Sequence, residues 1–472
     1  MTTEKLYEIY LQHPVISTDT RKITSGCIFF ALKGDKFDAN TFAEKAIAAG
    51  AAYAVIDNAD YRLNEQYILV DDALTALQDL ARHHRRQLSI PVIGLTGSNG
   101  KTTTKELING VLSQRFVTYA TQGNLNNHIG VPLTVLSINA AHQVAVIEMG
   151  ANHQKEIALL CSIAQPSHGL ITNVGRAHLE GFGGVEGVKK GKGELYDFFV
   201  LVPEVGESVS PGVGNSGIAN GVVFVNSGDE VLMEMKQQRK LDHVVYYGKT
   251  DYRENLVSGH ILENAPFLKI EWKEVATGAS YTVQSNITGE YNIDNILIAI
   301  CIGVYFKLSA EEINAGIVAY HPQNNRSQIV HTATNTLICD YYNANPSSMA
   351  VAIDNIDRLK AQNKVLILGD MFEMGEAAET EHHTILQKAM HAAVDKRIFI
   401  GHEFFKFNHE VLEPGSRGHR DQLEISPLAE KNKFYQTAEE AIAALKAAPI
   451  KNATVLIKGS RGMALERLVE LL

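Results

Sequence analysis

The sequence predicts an α/β protein of three domains: a small N-terminal α/β unit, a central, mainly parallel sheet carrying a phosphate loop, and a C-terminal Rossmann-like sheet. Three observations lead there. A chain of 472 residues is too long for one ordinary core. Short apolar runs alternate with helical periodicity over most of its length, which calls for parallel strands covered by helices on both faces. And residues 92–105, V-I-G-L-T-G-S-N-G-K-T-T-T-K, run from a buried-type strand through small residues into a helix.

Composition narrows the class. Hydrophobic residues at 45% and charged residues at 20% describe an ordinary globular chain. A formal net charge of −10 argues against a nucleic-acid partner. The densest basic run, Arg82-His83-His84-Arg85-Arg86, falls on a predicted helix and reads as a solvated face. The opening M-T-T-E-K-L-Y-E-I-Y lacks the apolar core of a signal peptide, and the longest apolar run, 296–306, falls short of the ~20 residues that cross a bilayer. Cys27, Cys161, Cys301 and Cys339 lie far apart with no C-x-x-C, as expected of reduced, buried thiols. The expectation is a cytoplasmic monomer without membrane insertion.

Taken in order, the first domain (1–86) has strands over 27–32, 52–56 and 67–70, with helices over 41–49 and 73–83. Residues 87–91 form the joint. The central domain (87–324) has strands over 92–96, 117–120, 144–148, 169–173, 222–226 and 244–247, a hairpin over 268–272 and 281–284, and a long apolar helix over 292–306. Residues 203–221, rich in Gly, Ser and Pro, read as a surface loop. The C-terminal domain (325–472) has strands over 328–331, 337–340, 365–368, 397–400 and 454–458. Its helices span 347–359, 382–393 and 438–447, and another closes the chain. It has no G-x-G-x-x-G fingerprint.

The chemistry begins at Thr96, Gly97, Ser98, Asn99 and Gly100, whose small residues let backbone N–H groups turn inward around an anion at a helix N-terminus. Lys101 reaches the β- and γ-phosphates, and the hydroxyl of Thr102, with Thr103 beside it, faces Mg²⁺. Leu95 stands where a strict G-x-x-x-x-G-K-[ST] loop has its first glycine, so the looser T-G-S-N-G-K-T form applies. Glu148 ends a strand at the edge where open α/β sheets bind ligands, and its oxygens suit Mg²⁺. His178 follows the next strand off the same edge, a metal or phosphate contact.

Lys189, Lys190 and Lys192 read by spacing as a solvated helix face, with a basic cluster near nucleotide as the alternative. Asn292 and Asn295, one helical turn apart, can face one ligand. Arg326 stands between two domains, where it can reach back to phosphate on closure. The turns 340–346 (D-Y-Y-N-A-N-P) and 458–462 (K-G-S-R-G) bring polar groups to one edge of the third sheet. A phosphate loop alone leaves motors, switches, kinases and ligases open, and the acidic and basic set around it narrows the choice.

Further stretches carry a resemblance from end to end: S-T-D-T-R-K-I-T-S-G-C-I-F-F-A-L-K-G at 17–34, G-N-L-N-N-H-I-G-V-P-L-T at 123–134, E-M-G-A at 148–151, N-V-G-R-A-H at 173–178 and K-G-K-G-E-L at 190–195. N-N-R-S at 324–327, L-G-D-M-F-E-M-G at 368–375 and K-G-S-R-G-M at 458–463 follow. With the phosphate loop, the chain resembles the Mur ligases of peptidoglycan synthesis. The Y-N-A-N-P and K-G-S-R segments resemble the member acting last in the series.

The resemblance implies an ATP- and Mg²⁺-dependent ligase joining D-alanyl-D-alanine to UDP-N-acetylmuramoyl-tripeptide through an acyl phosphate. It implies Lys101 and Thr102 or Thr103 on ATP phosphates and Mg²⁺, and Glu148 and His178 on a second Mg²⁺. Lys192 would be carbamylated by CO₂ and bridge metal. Asn292 and Asn295 would lie near adenine, and Arg326 and Asp340 on phosphate and ribose. Ser17, Thr18 and Arg21 would seat the UDP-sugar, with Asn124, Asn126 and Asn127 also on substrate. Asn343, Asn345, Lys458, Ser460 and Arg461 would hold the dipeptide. Asp38-Ala39-Asn40 departs from the family's D-G-H, and the 203–221 loop is an insertion. A sibling ligase adding a single amino acid is the nearer rival, although its D-N-P-R-type segment is absent; a phosphate-loop switch is the more distant one.

Overall fold

The computed structural model describes residues 1–34, 36–200, 221–249, 252–323, 325–412 and 430–472. The expected loop over 203–221 lies, except for Gly221, outside the described residues, as does Asn324 at the expected domain border. Among the described residues no helix is long and apolar enough to cross a membrane. The four cysteines are free and buried.

The first sheet joins β1 (Ile16–Ser17), β2 (Ile28–Phe30), β5 (Tyr53–Ile56) and β6 (Tyr67–Leu69) in that order, all parallel, with β3 (Lys33–Gly34) and β4 (Phe37–Asp38) forming a separate hairpin. An unforeseen helix, Thr3–Gln12, buries Leu6 and Tyr10 and packs on the helix Ala73–Gln87. That second helix corrects the reading of 82–86 as a solvated face, because His84 and Arg85 are buried. Arg85 donates from Nε to the carbonyl of Ala164 (2.9 Å) and from Nη2 to that of Gln165 (3.0 Å), and His84 Nε2 meets the carbonyl of Ile138 (2.7 Å). Carbonyls at a helix end have no intrahelical donor, so a guanidinium supplies what they lack and fastens the first domain to the second.

The central sheet has nine strands: β7 (Val92–Thr96), β8 (Thr118–Ala120), β9 (Val144–Glu148), β10 (His168–Ile171), β11 (Val222–Asn226), β12 (His243–Gly248), β13 (Asn255–Glu263), β14 (Lys269–Glu274) and β15 (Ser280–Gln284). Their order is β15-β14-β13-β12-β11-β10-β7-β9-β8, parallel from β8 through β13 and antiparallel in the final hairpin. β13 was not foreseen: its polar-interrupted N-L-V-S-G-H-I-L-E shows neither a continuous apolar run nor clean alternation. Strand order reverses beside β7, so the C-terminal ends of β7, β9 and β10 adjoin, and a crevice opens there. β7 is buried at all five positions, as a strand covered on both faces must be. The helix Ile293–Tyr305 is apolar almost all round because it is wedged between this sheet and the helices Lys101–Leu112 and Ala310–Ala319.

The third sheet has β16 (Gln328–His331), β17 (Thr336–Asp340), β18 (Lys364–Gly369), β19 (Lys396–Ile400), β20 (Asn432–Tyr435) and β21 (Thr454–Lys458) in the order β16-β17-β21-β18-β19-β20, parallel except at β16. β21 enters between β17 and β18 and sets Lys458 opposite Asp340. β20 was not foreseen. The expected closing helix is instead two 3₁₀ stretches, Arg461–Met463 and Leu465–Leu471, divided at Ala464 with φ +51°. Leu465 and Leu468, three apart, are both buried, and the 3₁₀ turn is the one that eclipses i and i+3.

Candidate active site

A cavity of about 1220 Å³ opens at the crevice beside β7 and is walled by the central and third domains. Of the phosphate-loop residues, Ser98, Asn99, Gly100, Lys101, Thr102 and Thr103 line it. Thr96 is fully buried at the end of β7 and, like Gly97, lies behind them. Two glycines are required by geometry. Gly97 has φ +149°, and a Cβ there would stand 2.0 Å from Thr172 Oγ1; Gly100 caps the helix Lys101–Leu112 at φ +78°, and a Cβ there would stand 2.6 Å from Asn295 Oδ1. The loop is pinned by β10's extension: Asn173 Oδ1 accepts from Asn99 N (3.0 Å), its Nδ2 donates to Asn99 O (3.0 Å), and Thr172 Oγ1 donates to the same carbonyl (2.6 Å).

Lys101 Nζ donates to the carbonyls of Gly97 (2.6 Å) and Ser98 (3.2 Å), holding the ammonium over its own loop. Burial lowers its pKa to about 8, against the pull of the Glu148 carboxylate, and Arg326 lowers it further. An anion in the loop would oppose both effects.

Glu148, at 1% exposure, ends β9 facing the loop. Thr102 Oγ1 donates to its Oε2 (2.9 Å), Asn126 Nδ2 to its Oε1 (2.8 Å), and Thr121 Oγ1 accepts from its backbone N–H (2.9 Å). A hydroxyl and a carboxylate oxygen thus adjoin beside the phosphate loop, a hard-oxygen pair that suits Mg²⁺ shared with phosphate oxygens and water. Among the described residues no three His, Cys, Asp or Glu side chains converge. The pair therefore fits an ion that borrows ligands from a nucleotide, and not an all-protein cage.

Lys192 corrects the solvated-face reading. Lys190 is exposed and Lys189 pairs with Glu234 (2.5 Å), but Lys192 is 1% exposed; its Nζ donates to the carbonyl of Ala151 (3.2 Å) and stands 5.0 Å from the centre of the Phe182 ring. Gly187, Gly191 and Gly193 beside it are buried too, so the glycines reported close packing, not exposure. Burial holds the Lys192 pKa well below the usual lysine value; the Lys101 charge adds to this, and Glu156 and Glu194 oppose it.

The third domain meets this site directly. Asn345 caps the helix Pro346–Arg358, its Oδ1 accepting from Ser348 N (2.9 Å) while its Nδ2 donates to Asn99 Oδ1 (2.8 Å) on the phosphate loop. Ser347 Oγ accepts from Arg176 N (2.9 Å), and Arg176 also pairs with Glu381. His178, in left-handed backbone at φ +53°, pairs through Nδ1 with Glu373. Asn292 and Asn295 line the cavity and bond to each other (2.8 Å), and Asn295 accepts from Thr104 (3.0 Å). The Arg326 guanidinium stands 3.8 Å from the centre of the Tyr342 ring.

Asp340 accepts from Ser327 N (3.2 Å) and from Lys458 Nζ (2.6 Å). Lys458 is buried in that ion pair. Ser460 is buried with its Oγ accepting from Phe372 N (2.9 Å), while Arg461 is exposed, 5.2 Å from the Tyr342 ring. Asn343 lines the cavity, as do Asn124, Asn126 and Asn127; Asn127 Oδ1 also accepts from Gly130 N (2.9 Å) where the helix Gly130–Leu136 begins. Ser17, Thr18 and Arg21 do not line it. They lie in the first domain, Ser17 ending β1 and Thr18 and Arg21 following it, where Arg21 forks Asp19 (2.8 Å). Sequence reasoning missed Tyr291, Ser327, Tyr342 and Glu373 on the cavity wall, although each stands in or beside a stretch singled out above.

Known proteins share these domains and this fold. The Mur ligase middle domain matches residues 95–203, the Mur ligase glutamate ligase domain 325–461 and the Mur ligase family catalytic domain 14–85. A UDP-N-acetylmuramoyl-tripeptide–D-alanyl-D-alanine ligase of Bacillus subtilis is 34% identical over 98% of this chain and 94% of its own length. The Escherichia coli ligase of the same name is 32% identical over 97% and 93%. A crystal structure of MurF from Acinetobacter baumannii superposes with TM-score 0.79 at 30% identity, covering 96% of this chain and 92% of that one. A MurF ligase of Thermotoga maritima, solved in complex with ADP, shares the fold at TM-score 0.76 and 23% identity, over 97% and 96%.

Proposed function

This chain belongs to the Mur ligase family, and we propose from that premise that it joins D-alanyl-D-alanine to UDP-N-acetylmuramoyl-tripeptide at the expense of ATP, completing the pentapeptide precursor of peptidoglycan. The observation that carries the reading is the Asn345–Asn99 hydrogen bond: the domain that would present the amine already touches the loop that would hold the phosphates. In this reading residues 1–86 seat the UDP-sugar with Ser17, Thr18 and Arg21, residues 87–324 hold ATP, and residues 325–472 bring the dipeptide. The reading calls on residues of this chain only, which suits a monomer, and ATP with a nucleotide-linked substrate suits the cytoplasm.

Lys101 and the loop N–H groups hold the γ-phosphate while the tripeptide's terminal carboxylate attacks phosphorus and ADP leaves. The dipeptide amine then attacks the acyl carbonyl, forming the C–N bond as the C–O bond to phosphate breaks and the amine gives up a proton. Thr102 and Glu148, with His178 and Lys192, would hold Mg²⁺, which when bound would supply positive charge to the transferring phosphate. Asn292 and Asn295 face adenine, and Arg326 and Asp340 face phosphate and ribose. Lys192, buried with its pKa held below the usual lysine value, would be the amine that adds CO₂, becoming an anion where a lysine cation stood. Packing of the third domain against the loop keeps water from the acyl phosphate.

The test is phosphate release from ATP that requires both UDP-N-acetylmuramoyl-tripeptide and D-alanyl-D-alanine, with D-alanine, L-lysine and diaminopimelate giving little. Efficient addition of a free diamino acid to a UDP-linked dipeptide would assign the chain to the preceding step instead.

A further inference from the structure

A second, smaller cavity of about 160 Å³ adjoins the first, and His178, Asn343, Asn345 and Glu373 line both, forming the partition between them. Its other walls include Phe372, Met374, Ser460 and Arg461. At this volume, well under the roughly 300–1,000 Å³ of drug-sized sites, it admits a small amine and not a nucleotide. The segment 368–375 that supplies Phe372 and Glu373 has no role in the reading above.

That segment is built under constraint. Glu373 has φ +61° and faces His178 at φ +53°, so two side-chain-bearing residues in left-handed backbone meet across the domain junction. One Glu373 oxygen, Oε2, meets His178, and the other takes no hydrogen bond among the described residues. Phe372 is 46% exposed despite its size, and its backbone N–H is fixed by Ser460 Oγ (2.9 Å). Its ring lies against Gly462, where a Cβ would stand 2.6 Å from it. Arg461 has no ion-pair partner among the described residues, whereas Lys458 is committed to Asp340.

Resting on the ligase reading, we propose that the smaller cavity seats D-alanyl-D-alanine, with the Glu373 carboxylate receiving its ammonium at the partition, Phe372 receiving its apolar side and Arg461 taking its terminal carboxylate. Opposite charges at the two ends orient a zwitterion one way only, with the ammonium toward the phosphate cavity, where the nucleophile belongs. Glu373 and Phe372 are then specificity residues for the amine substrate, and Lys458 is a positioning residue that braces Asp340.

Initial rates of phosphate release are measured against D-alanyl-D-alanine at saturating ATP and UDP-tripeptide, with propionyl-D-alanine, which lacks the amino group, as a competitive inhibitor. Glu373→Gln should raise the dipeptide KM about tenfold or more, the scale of a lost charge-assisted hydrogen bond, with the KM of ATP within twofold. The Ki of propionyl-D-alanine should stay at the wild-type value, a split that general disruption of the loop would not produce. Phe372→Ala should raise both the KM and the Ki, and Phe372→Tyr should restore both. An unchanged dipeptide KM in Glu373→Gln, or a parallel rise in the KM of ATP, overturns this placement alone. Absence of dipeptide-dependent phosphate release in the wild-type enzyme overturns the ligase reading, and this placement with it.

Discussion

Asn345 Nδ2 donates to Asn99 Oδ1 at 2.8 Å, tying the first turn of a third-domain helix to a phosphate loop 246 residues earlier in the chain. The same side chain caps its own helix through Oδ1, so stability and domain contact can be separated by substitution. Asn345→Ala removes both and should cost about 1–2 kcal/mol in urea unfolding. Asn345→Asp keeps the cap and should unfold within about 0.5 kcal/mol of wild type. It sets a carboxylate beside the phosphate loop, however, and kcat/KM for ATP should fall about tenfold. Equal ATP kinetics in Asn345→Asp and wild type would detach this contact from catalysis.

Lys101→Ala should lower kcat by about 10²–10³, the scale of one preorganised charge-stabilising contact. Its fold should survive, because the buried ammonium is held only by the loop's own carbonyls and its burial is already costly enough to lower its pKa to about 8. Single-turnover phosphate release and circular-dichroism melts report the two effects separately; wild-type turnover would remove Lys101 from the γ-phosphate.

Lys192→Ala should abolish ligation, and a short carboxylic acid in the buffer should restore part of it by standing in for a carbamate. Lys192→Arg keeps a charge that cannot add CO₂ and buries it without a carboxylate partner, so it should be inactive and less stable. A ¹³C carbamate resonance after incubation with labelled bicarbonate should appear in wild type and vanish in both variants. Full activity of Lys192→Arg would end the carbamate reading.

His168, packed among Phe224, Tyr305 and Phe306, has its pKa lowered to about 4 by burial. Below pH 6.5 the unfolded chain takes up the proton that the folded chain refuses, so the stability contribution is complete above pH 6.5 and lost as pH falls toward 4. The loss is up to about 3 kcal/mol. His168→Phe should flatten this limb of a urea-unfolding series at pH 7, 5.5 and 4. An unchanged slope would place the acid sensitivity elsewhere.

Three domains, the strand–loop–helix at 92–105 and the edge positions of Glu148, His178 and Asp340 were legible in the sequence, because each depends on local pattern: apolar runs, small residues at a turn, a polar residue where a strand stops. Where several residues had to be weighed against distant neighbours, local pattern failed. Lys192, with its glycines and lysines, has the composition of a solvated face, and only the packing of Phe182 and the Ala151 carbonyl against it shows a buried amine. His84 and Arg85 sit in the most basic run of the chain and are buried against carbonyls brought from the central domain, Ile138 for His84 and Ala164 and Gln165 for Arg85. β13 pairs on both sides in spite of a pattern that announces no strand. The sequence puts Lys458 among polar groups at the edge of the third sheet, and only the register of β17 and β21 pairs it with Asp340. Periodicity and turn chemistry act over a few residues and are written in the chain; desolvation and charge pairing depend on what folding brings from far away, and only the tertiary structure decided them.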